Sequence, residues 1–321
     1  MAVSGKVIKT RIKSVSNTKK ITKAMEMVSA AKMRKAVSAA LDTRIYATIA
    51  WDLLINLSKT EKEGIPLLEI RQVKRMLVIL ITSNRGLCGS FNSNIIKKTA
   101  IQLKNPRNIS FQRAHNKHTQ PSEHVEIDVI GIGRKGADFC KKNGYNLIAS
   151  FNSISDKPQL EDVLVATQIV IEDYKTKKYD KVVVAYTDYR SVVSQEAKIR
   201  QVLPISEFDL EKTISGLGKN ENLLNRTLSK EPQEKISEYL FEPSKKEVLK
   251  TILPRLVEMQ IYQSLLESSA SEHSARMMAM KNAGDSASDM IKELNLTYNK
   301  TRQAGITQEI AEIAGGAAAL G

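Results

Sequence analysis

From Ile8 onward the apolar positions of the chain recur at steps of three and four. They run Ile8, Ile12 and Val15, then Ile21, Met25 and Val28, then Met33, Val37, Leu41, Ile45, Thr48, Trp51 and Ile55. That spacing returns to one face of an α-helix. Neither Gly nor Pro occurs between Lys6 and Glu63, so the pattern predicts one helix of roughly 80 Å at about 1.5 Å per residue. Gly64 and Pro66 end it. A helix of that length cannot bury its stripe alone and needs a partner.

The partner is at the other end of the chain. Leu256, Met259, Gln263, Leu266, Ala270, His273, Met277, Met280, Gly284, Ala287, Ile291, Leu294, Tyr298 and Thr301 alternate by three and four without a break. This is a seven-residue period, the mark of a left-handed supercoil. Small residues (Ala270, Gly284, Ala287) and polar ones (Gln263, His273, Thr301) occupy much of this seam, which lets two backbones approach closely but locks register weakly. Pro254 marks a kink or the first turn of this helix. The two ends are expected to pair as a long antiparallel coiled coil, with the middle of the chain as a knob at one end. Such a shape suggests a mechanical or scaffolding role.

The middle alternates strand and helix signals. RMLVILITS (75–83) reads as a buried strand, SNIIKKTAIQLK (93–104) as a helix, and HVEIDVIGI (124–132) as a strand. RKGADFCKKNG (134–144) reads as a short helix, NLIASF (146–151) as a weak strand, and 160–178 as a helix; 181–189 and 191–205 form a terminal hairpin. This order predicts an α/β fold with a Rossmann-like, doubly wound, mostly parallel sheet and an antiparallel edge. Four regions follow: an N-terminal coiled-coil helix (1–63), the α/β domain (70–208), a linker or loop region (209–242) and a C-terminal coiled-coil helix (243–321). Residues 105–123 and about 209–235 are polar and read as loops.

Charge gives the coil a polarity. The net charge is +14. Residues 1–35 hold ten basic side chains against the single acid Glu26, whereas 243–321 balances nine basic residues with nine acidic ones. The N-terminal helix therefore predicts an acidic partner surface. Nucleic acid is the generic candidate, but residues 1–35 contain no aromatic side chain for base stacking. A solvated basic face is the plainer reading. No run of 18 apolar residues occurs, and the N-terminus has no apolar core of a secretory signal. Cys88 and Cys140 lie far apart with no CxxC, which fits free thiols in a reducing compartment.

Candidate chemistry is sparse. Gly131, Gly133 and Gly136 form a literal GxGxxG after a strand and before a helix, with Asp156 downstream. This spacing is the dinucleotide fingerprint. Here it follows the second strand, and Arg134 and Lys135 crowd the place where phosphate would approach; a plain strand-to-helix turn is the favoured reading. SNRGLCG (83–89) lacks the GxxxxGK[ST] of a phosphate-binding loop. Arg85, held in that glycine turn, could project toward an acidic partner. His115, His118 and His124 have no Cys or paired carboxylate to complete a metal site. No nucleophile–base or paired-carboxylate constellation assembles. No cofactor and no metal is expected.

The C-terminal ITQEIAEIAGGAA (306–318) is similar to the signature of the gamma subunit of F-type ATP synthases. RIKSVSNTKKITKAMEMVSAAKMRKA (11–36), TSNRGLCG (82–89), SEHSARMMAMKNAGDSASDMI (271–291) and LNLTYNKTRQAGIT (294–307) resemble other segments of that family, in the right order. Asn84 departs from the Asp usual in the family's loop. The His-rich 105–123 stretch looks like an insertion, and the two-cysteine redox insert of plastid relatives is not visible.

The resemblance implies a central-stalk rotor that does no bond chemistry. Its coiled coil would stand inside a hexamer of alpha and beta subunits. Its Rossmann-like domain would sit on the membrane ring of c subunits and bind the epsilon subunit. Ion flow would turn it and cycle the affinity of each beta subunit for nucleotide. By matching position, Arg302 and Gln303 resemble a pair that hydrogen-bonds a beta loop. Lys23 and Met25 resemble the helix face near beta's acidic lever, and Arg85 a cation that meets the same acidic region. Ile306, Thr307, Glu309, Glu312, Gly316 and Ala317 carry the C-terminal signature. The implied location is peripheral, at the inner face of a bacterial plasma membrane, with a mature organellar form as the alternative. The other readings are a dinucleotide-binding enzyme with helical extensions and a basic coiled-coil nucleic-acid binder.

Overall fold

A computed structural model describes residues 5–58, 65–105, 124–154, 158–205, 242 and 244–320. The expected loops at 105–123 and 209–235, the linker, His115, His118 and Asp156 fall almost wholly outside that range. The chain forms two compact units, one of Met1–Ala30 with Arg276–Gly321 and one of Ala31–Ala275. Two long helices, α1 (Gly5–Ser58) and α5 (Lys245–Leu320), contribute to both.

In the second unit the central segment folds as the alternation predicts. The elements are β1 (Arg75–Ile81), α2 (Phe91–Lys104), β2 (Glu126–Ile132), α3 (Arg134–Lys142), β3 (Asn146–Phe151), α4 (Glu161–Lys175), β4 (Lys181–Tyr189) and β5 (Gln195–Leu203). The sheet order is β3-β2-β1-β4-β5. β1 pairs in parallel with β2 and β4, β2 in parallel with β3, and β5 runs antiparallel at the edge.

β1 is buried on both faces, which explains its unbroken apolar run. Leu77, Ile79 and Ile81 face a cluster with Val163, Val170 and Tyr174 of α4 and Leu253, Leu256, Val257 and Ile261 of α5. Met76, Val78 and Leu80 point the other way, toward Ile95 and Leu103 of α2 and Cys140 of α3. Each such side chain contributes about 1.5–3 kcal/mol when removed from water. β3 alternates exposed and half-buried positions, as suits an edge strand.

The long helices meet in antiparallel fashion within each unit. In the first, a Cβ on Gly5 would lie 3.6 Å from the ring of Tyr298, and one on Gly284 would lie 3.4 Å from Thr22 Oγ1. In the second, Ala39 and Ala40 pack on Tyr262 and Leu266. Pro254 lies inside α5 rather than in its first turn.

The seam of α1 differs from its apolar pattern. Ile21 and Val28 are 60% and 53% exposed, while Thr22 and Ser29 beside them are 7% and 3% exposed. Ser29, Met33, Ala36 and Ala40 are buried at steps of four, three and four, so close contact between helices selects small residues over large ones. On α5 the seven-residue pattern holds from Met280 to Thr301. Upstream it fails, because Leu256–Ser274 is buried on nearly every side. The distant β4–β5 hairpin meets some of the polar groups there. Ser271 Oγ donates to Thr187 O (3.1 Å), Ser274 Oγ to Val192 O (2.7 Å) and Gln260 Nε2 to Gln201 O (2.9 Å).

Candidate partner-binding surface

In the first unit the surface is built from α1 and the C-terminal part of α5. Lys23 is exposed and is held 3.0 Å from Glu26, one turn on, so part of its charge is compensated locally. Met25 is half-buried beside it. Gly284 marks the level of Thr22, and Arg302 lies a further stretch of unbroken helix away, about 27 Å at 1.5 Å per residue. The Lys23–Met25 face and the Arg302–Gln303 pair are therefore separate contact points.

Arg302 and Gln303 are exposed. The carbonyl of Gln303 accepts from Thr307 Oγ1 at 2.9 Å, which leaves its side-chain amide out of that bond. From Ile306 to Ala317 every residue is exposed, including Glu309, Glu312 and Gly316. Glu312 Oε1 accepts from Gln308 Nε2 at 2.9 Å along the helix.

Sequence reasoning passed over an apolar stripe here. Ile306, Ile310 and Ile313 are spaced four and three apart and are uncovered, Ile313 to 73%. With Leu296 and Met290 also exposed, this helix carries apolar side chains that nothing among the described residues buries. The signal was present in the sequence, since these isoleucines recur at steps of four and three, on a face offset from the seam that runs to Thr301. On α1 the equivalent residues are Val7, Ile21, Met27 and Val28.

Arg85 belongs to the second unit. It sits in the loop after β1, which its own hydrogen bonds make rigid. Ser83 Oγ donates to Arg85 O (2.6 Å), and Asn92 Nδ2 donates to Ser83 Oγ (2.7 Å). Leu87 takes φ 63°, uncommon for a branched residue, and is exposed. Arg85 borders a cavity of 470 Å³ at the carboxyl ends of β1 and β2, lined also by Thr82, Asn84, Gly133, Ser268 and His273.

The GxGxxG turn lies at the same sheet edge, and its donors are already used. Arg134 N–H donates to Asn84 Oδ1 (3.0 Å), Lys135 N–H to Ser83 O (3.1 Å) and Gly136 N–H to Thr82 Oγ1 (2.8 Å). A pyrophosphate would need those same N–H groups at a helix N-terminus. The glycines serve packing. Gly133 has φ 93°, and a Cβ there would fall 2.1 Å from Thr82 O. The dinucleotide reading thus loses its phosphate site. His124, the one described member of the histidine trio, is exposed, and among the described residues no three potential ligands gather around a metal position.

A family model described as ATP synthase matches residues 4–320. The chain is 39% identical to the ATP synthase gamma chain of Roseiflexus castenholzii over 321 residues, covering 99% of this chain and 98% of that one. It is 38% identical to the gamma chain of Chloroflexus aurantiacus, with 99% of each covered, and 35% identical to that of Legionella pneumophila, with 98% and 99% covered. Among solved structures it is similar to a chain of the Euglena gracilis mitochondrial ATP synthase, in the OSCP/F1/c-ring in rotational state 3. There the TM-score is 0.58 at 20% identity, with 98% of this chain and 94% of that chain covered. A chain of that enzyme's rotor in rotational state 1 gives 0.56 at 17%, with 94% and 98% covered. At those identities the likeness speaks for the fold.

Proposed function

We propose that this chain, which belongs to the ATP synthase gamma-chain family, works as a rotor that couples ion flow to nucleotide chemistry carried out elsewhere. The observation that carries this reading is the solvent-facing stretch Ile306–Ala317 with its uncovered Ile306, Ile310 and Ile313. An apolar stripe on an otherwise polar helix fits a collar that surrounds it. The collar would be the alpha and beta subunits, with the beta subunits as the catalytic ones.

In this reading Arg302 and Gln303 hydrogen-bond a loop of one beta subunit, and Lys23, Met25 and Arg85 meet an acidic lever of beta. The left-handed, exposed Leu87 would extend the Arg85 contact. The α/β domain would bind the epsilon subunit and rest on the c ring. The chain would be peripheral to the membrane, on its cytoplasmic side, consistent with no described helix long and apolar enough to cross it.

Weak contacts suit such a role. An exposed ion pair is worth about 0–1 kcal/mol, so Lys23 or Arg85 could leave one acidic partner and meet the next at small cost. A desolvated, well-packed grip would hold one angle and stop turnover. Small seam residues keep the paired helices slim without adding to that grip.

Reconstitution with alpha and beta subunits of a gamma-chain relative tests the proposal. The expected result is a stable complex whose ATPase activity depends on this chain. A chain that stays folded yet neither joins the hexamer nor supports its activity would overturn it.

A further inference from the structure

The second unit encloses two acidic side chains that belong to neither the cavity nor the proposed contacts. Asp188 of β4 is 0% exposed and Glu267 of α5 is 1% exposed. Their carboxyl groups lie within hydrogen-bond reach of each other. Asp188 Oδ2 accepts from Lys198 Nζ and lies 3.0 Å from Arg190 Nε. Glu267 Oε1 accepts from Gln263 Nε2 at 3.2 Å. That leaves Asp188 Oδ1 and Glu267 Oε2 with no donor in good hydrogen-bond geometry among the described residues, although the Tyr186 hydroxyl also lies within reach of the Glu267 carboxyl.

Two buried carboxylate oxygens with no well-placed donor, set against each other, are a costly arrangement. One proton between them satisfies both, since a protonated carboxyl donates where a carboxylate only accepts. We infer that Asp188 and Glu267 share a single proton, and that this proton fastens the C-terminal helix to the β4–β5 hairpin and loosens that fastening when it leaves.

The neighbours decide which carboxyl carries it. On the β4–β5 side Asp188 has two cations, Lys198 and Arg190, which also pair with Glu196 at 3.6 and 3.4 Å. Glu267 faces the Gln263 amide, the phenol of buried Tyr186, and Arg200, whose guanidinium lies 5.6 Å over the Tyr186 ring. α1 meets the adjacent turn of α5 with Ala39 and Ala40, which do not titrate. Burial first, and the Asp188 charge second, push the Glu267 carboxyl up to about 8; Arg200 pulls it the other way. The proton therefore rests on Glu267 and is donated to Asp188 near neutral pH.

In the proposed rotor this fastening would help α5 turn together with the α/β domain. That consequence rests on the rotor reading; the shared proton does not.

An infrared pH titration of the full chain, with its glutamates labelled at the carboxyl carbon, tests the inference. The expected signal is a protonated-glutamate stretch that persists at neutral pH and disappears with a midpoint of about 8. Glu267→Gln should abolish it, and Asp188→Asn should lower the midpoint by roughly 1 pH unit or more. Absence of any protonated glutamate near neutral pH in the wild-type chain would overturn the inference, and so would a band that survives in Glu267→Gln. The wild-type titration decides by itself if a variant does not fold.

Discussion

The side-chain oxygen of Thr82 accepts the backbone N–H of Gly136 at 2.8 Å, and a Cβ on Gly136 would fall 2.9 Å from that same oxygen. The end of β1 thus caps the start of α3 so closely that only glycine fits. Gly133, one turn earlier, is tighter still. Replacing Gly133 with Ala should destabilise the chain by about 2–4 kcal/mol, from the left-handed φ and the clash with Thr82 O together. Denaturant unfolding reads this directly, and an unchanged midpoint would refute the packing role. Titration with a nicotinamide dinucleotide should show no micromolar binding, since the helix donors are already taken.

Asn84 caps the same helix from the next residue but one. Its Oδ1 accepts from Arg134 N–H, and its Nδ2 donates to Ile154 O at 3.4 Å. Asn84→Ala should cost about 1 kcal/mol, the usual worth of a lost cap. Asn84→Asp keeps the acceptor and adds a charge that the helix N-terminus favours. It should unfold within about 1 kcal/mol of wild type. A loss in Asp as large as in Ala would show that the Ile154 bond, which both variants lack, matters more than the cap.

Arg302 and Gln303 are exposed, so truncating either should change stability by less than about 0.5 kcal/mol. In a reconstituted complex, losing a partner hydrogen bond of about 1.4 kcal/mol would lower coupled ATPase activity roughly tenfold. Normal turnover and coupling in both Arg302→Ala and Gln303→Ala would remove that assignment.

The raised Glu267 carboxyl makes a signed prediction about pH. Its folded value, about 8, lies above the ordinary 4.5. The folded chain therefore holds this proton where the unfolded chain has lost it, and stability should fall as pH rises from about 4.5 to about 8. Above that range both states are ionised and this contribution stops changing. Unfolding midpoints measured across the range should decline less in Glu267→Gln than in wild type, and parallel curves would contradict this.

Cys140 is wholly buried between α3 and the sheet, and burial pushes its thiol up to about 11. The thiolate is the reactive form. Native Cys140 should label with iodoacetamide far more slowly than in denaturant, at mildly alkaline pH. Equal rates would place that face of the sheet in solvent.

The strands and helices of the middle were legible because both faces of β1 are covered, which turns burial into a plain apolar run. The seam of α5 from Met280 to Thr301 was legible too, because there one partner helix covers one face. The contact residues Lys23, Arg85, Arg302 and Gln303 rested on motif resemblance, since nothing in composition distinguishes them from other exposed polar groups. Ile310 and Ile313 were overlooked although their spacing was in view, because an apolar period does not say whether anything covers it.

The sequence by itself determined the elements, their order, the two long helices and the family. Tertiary structure decided which side of each helix is inside. A helix turns toward whatever packs closest, so Thr22 and Ser29 are buried while Ile21 and Val28 face water. A polar run such as Gln260–Ser274 can be buried when strands far away in sequence supply some of its hydrogen-bond partners. The Asp188–Glu267 pair is the extreme case. It is made by strand and helix positions 79 residues apart, and its protonation depends on solvent exclusion that no local pattern encodes.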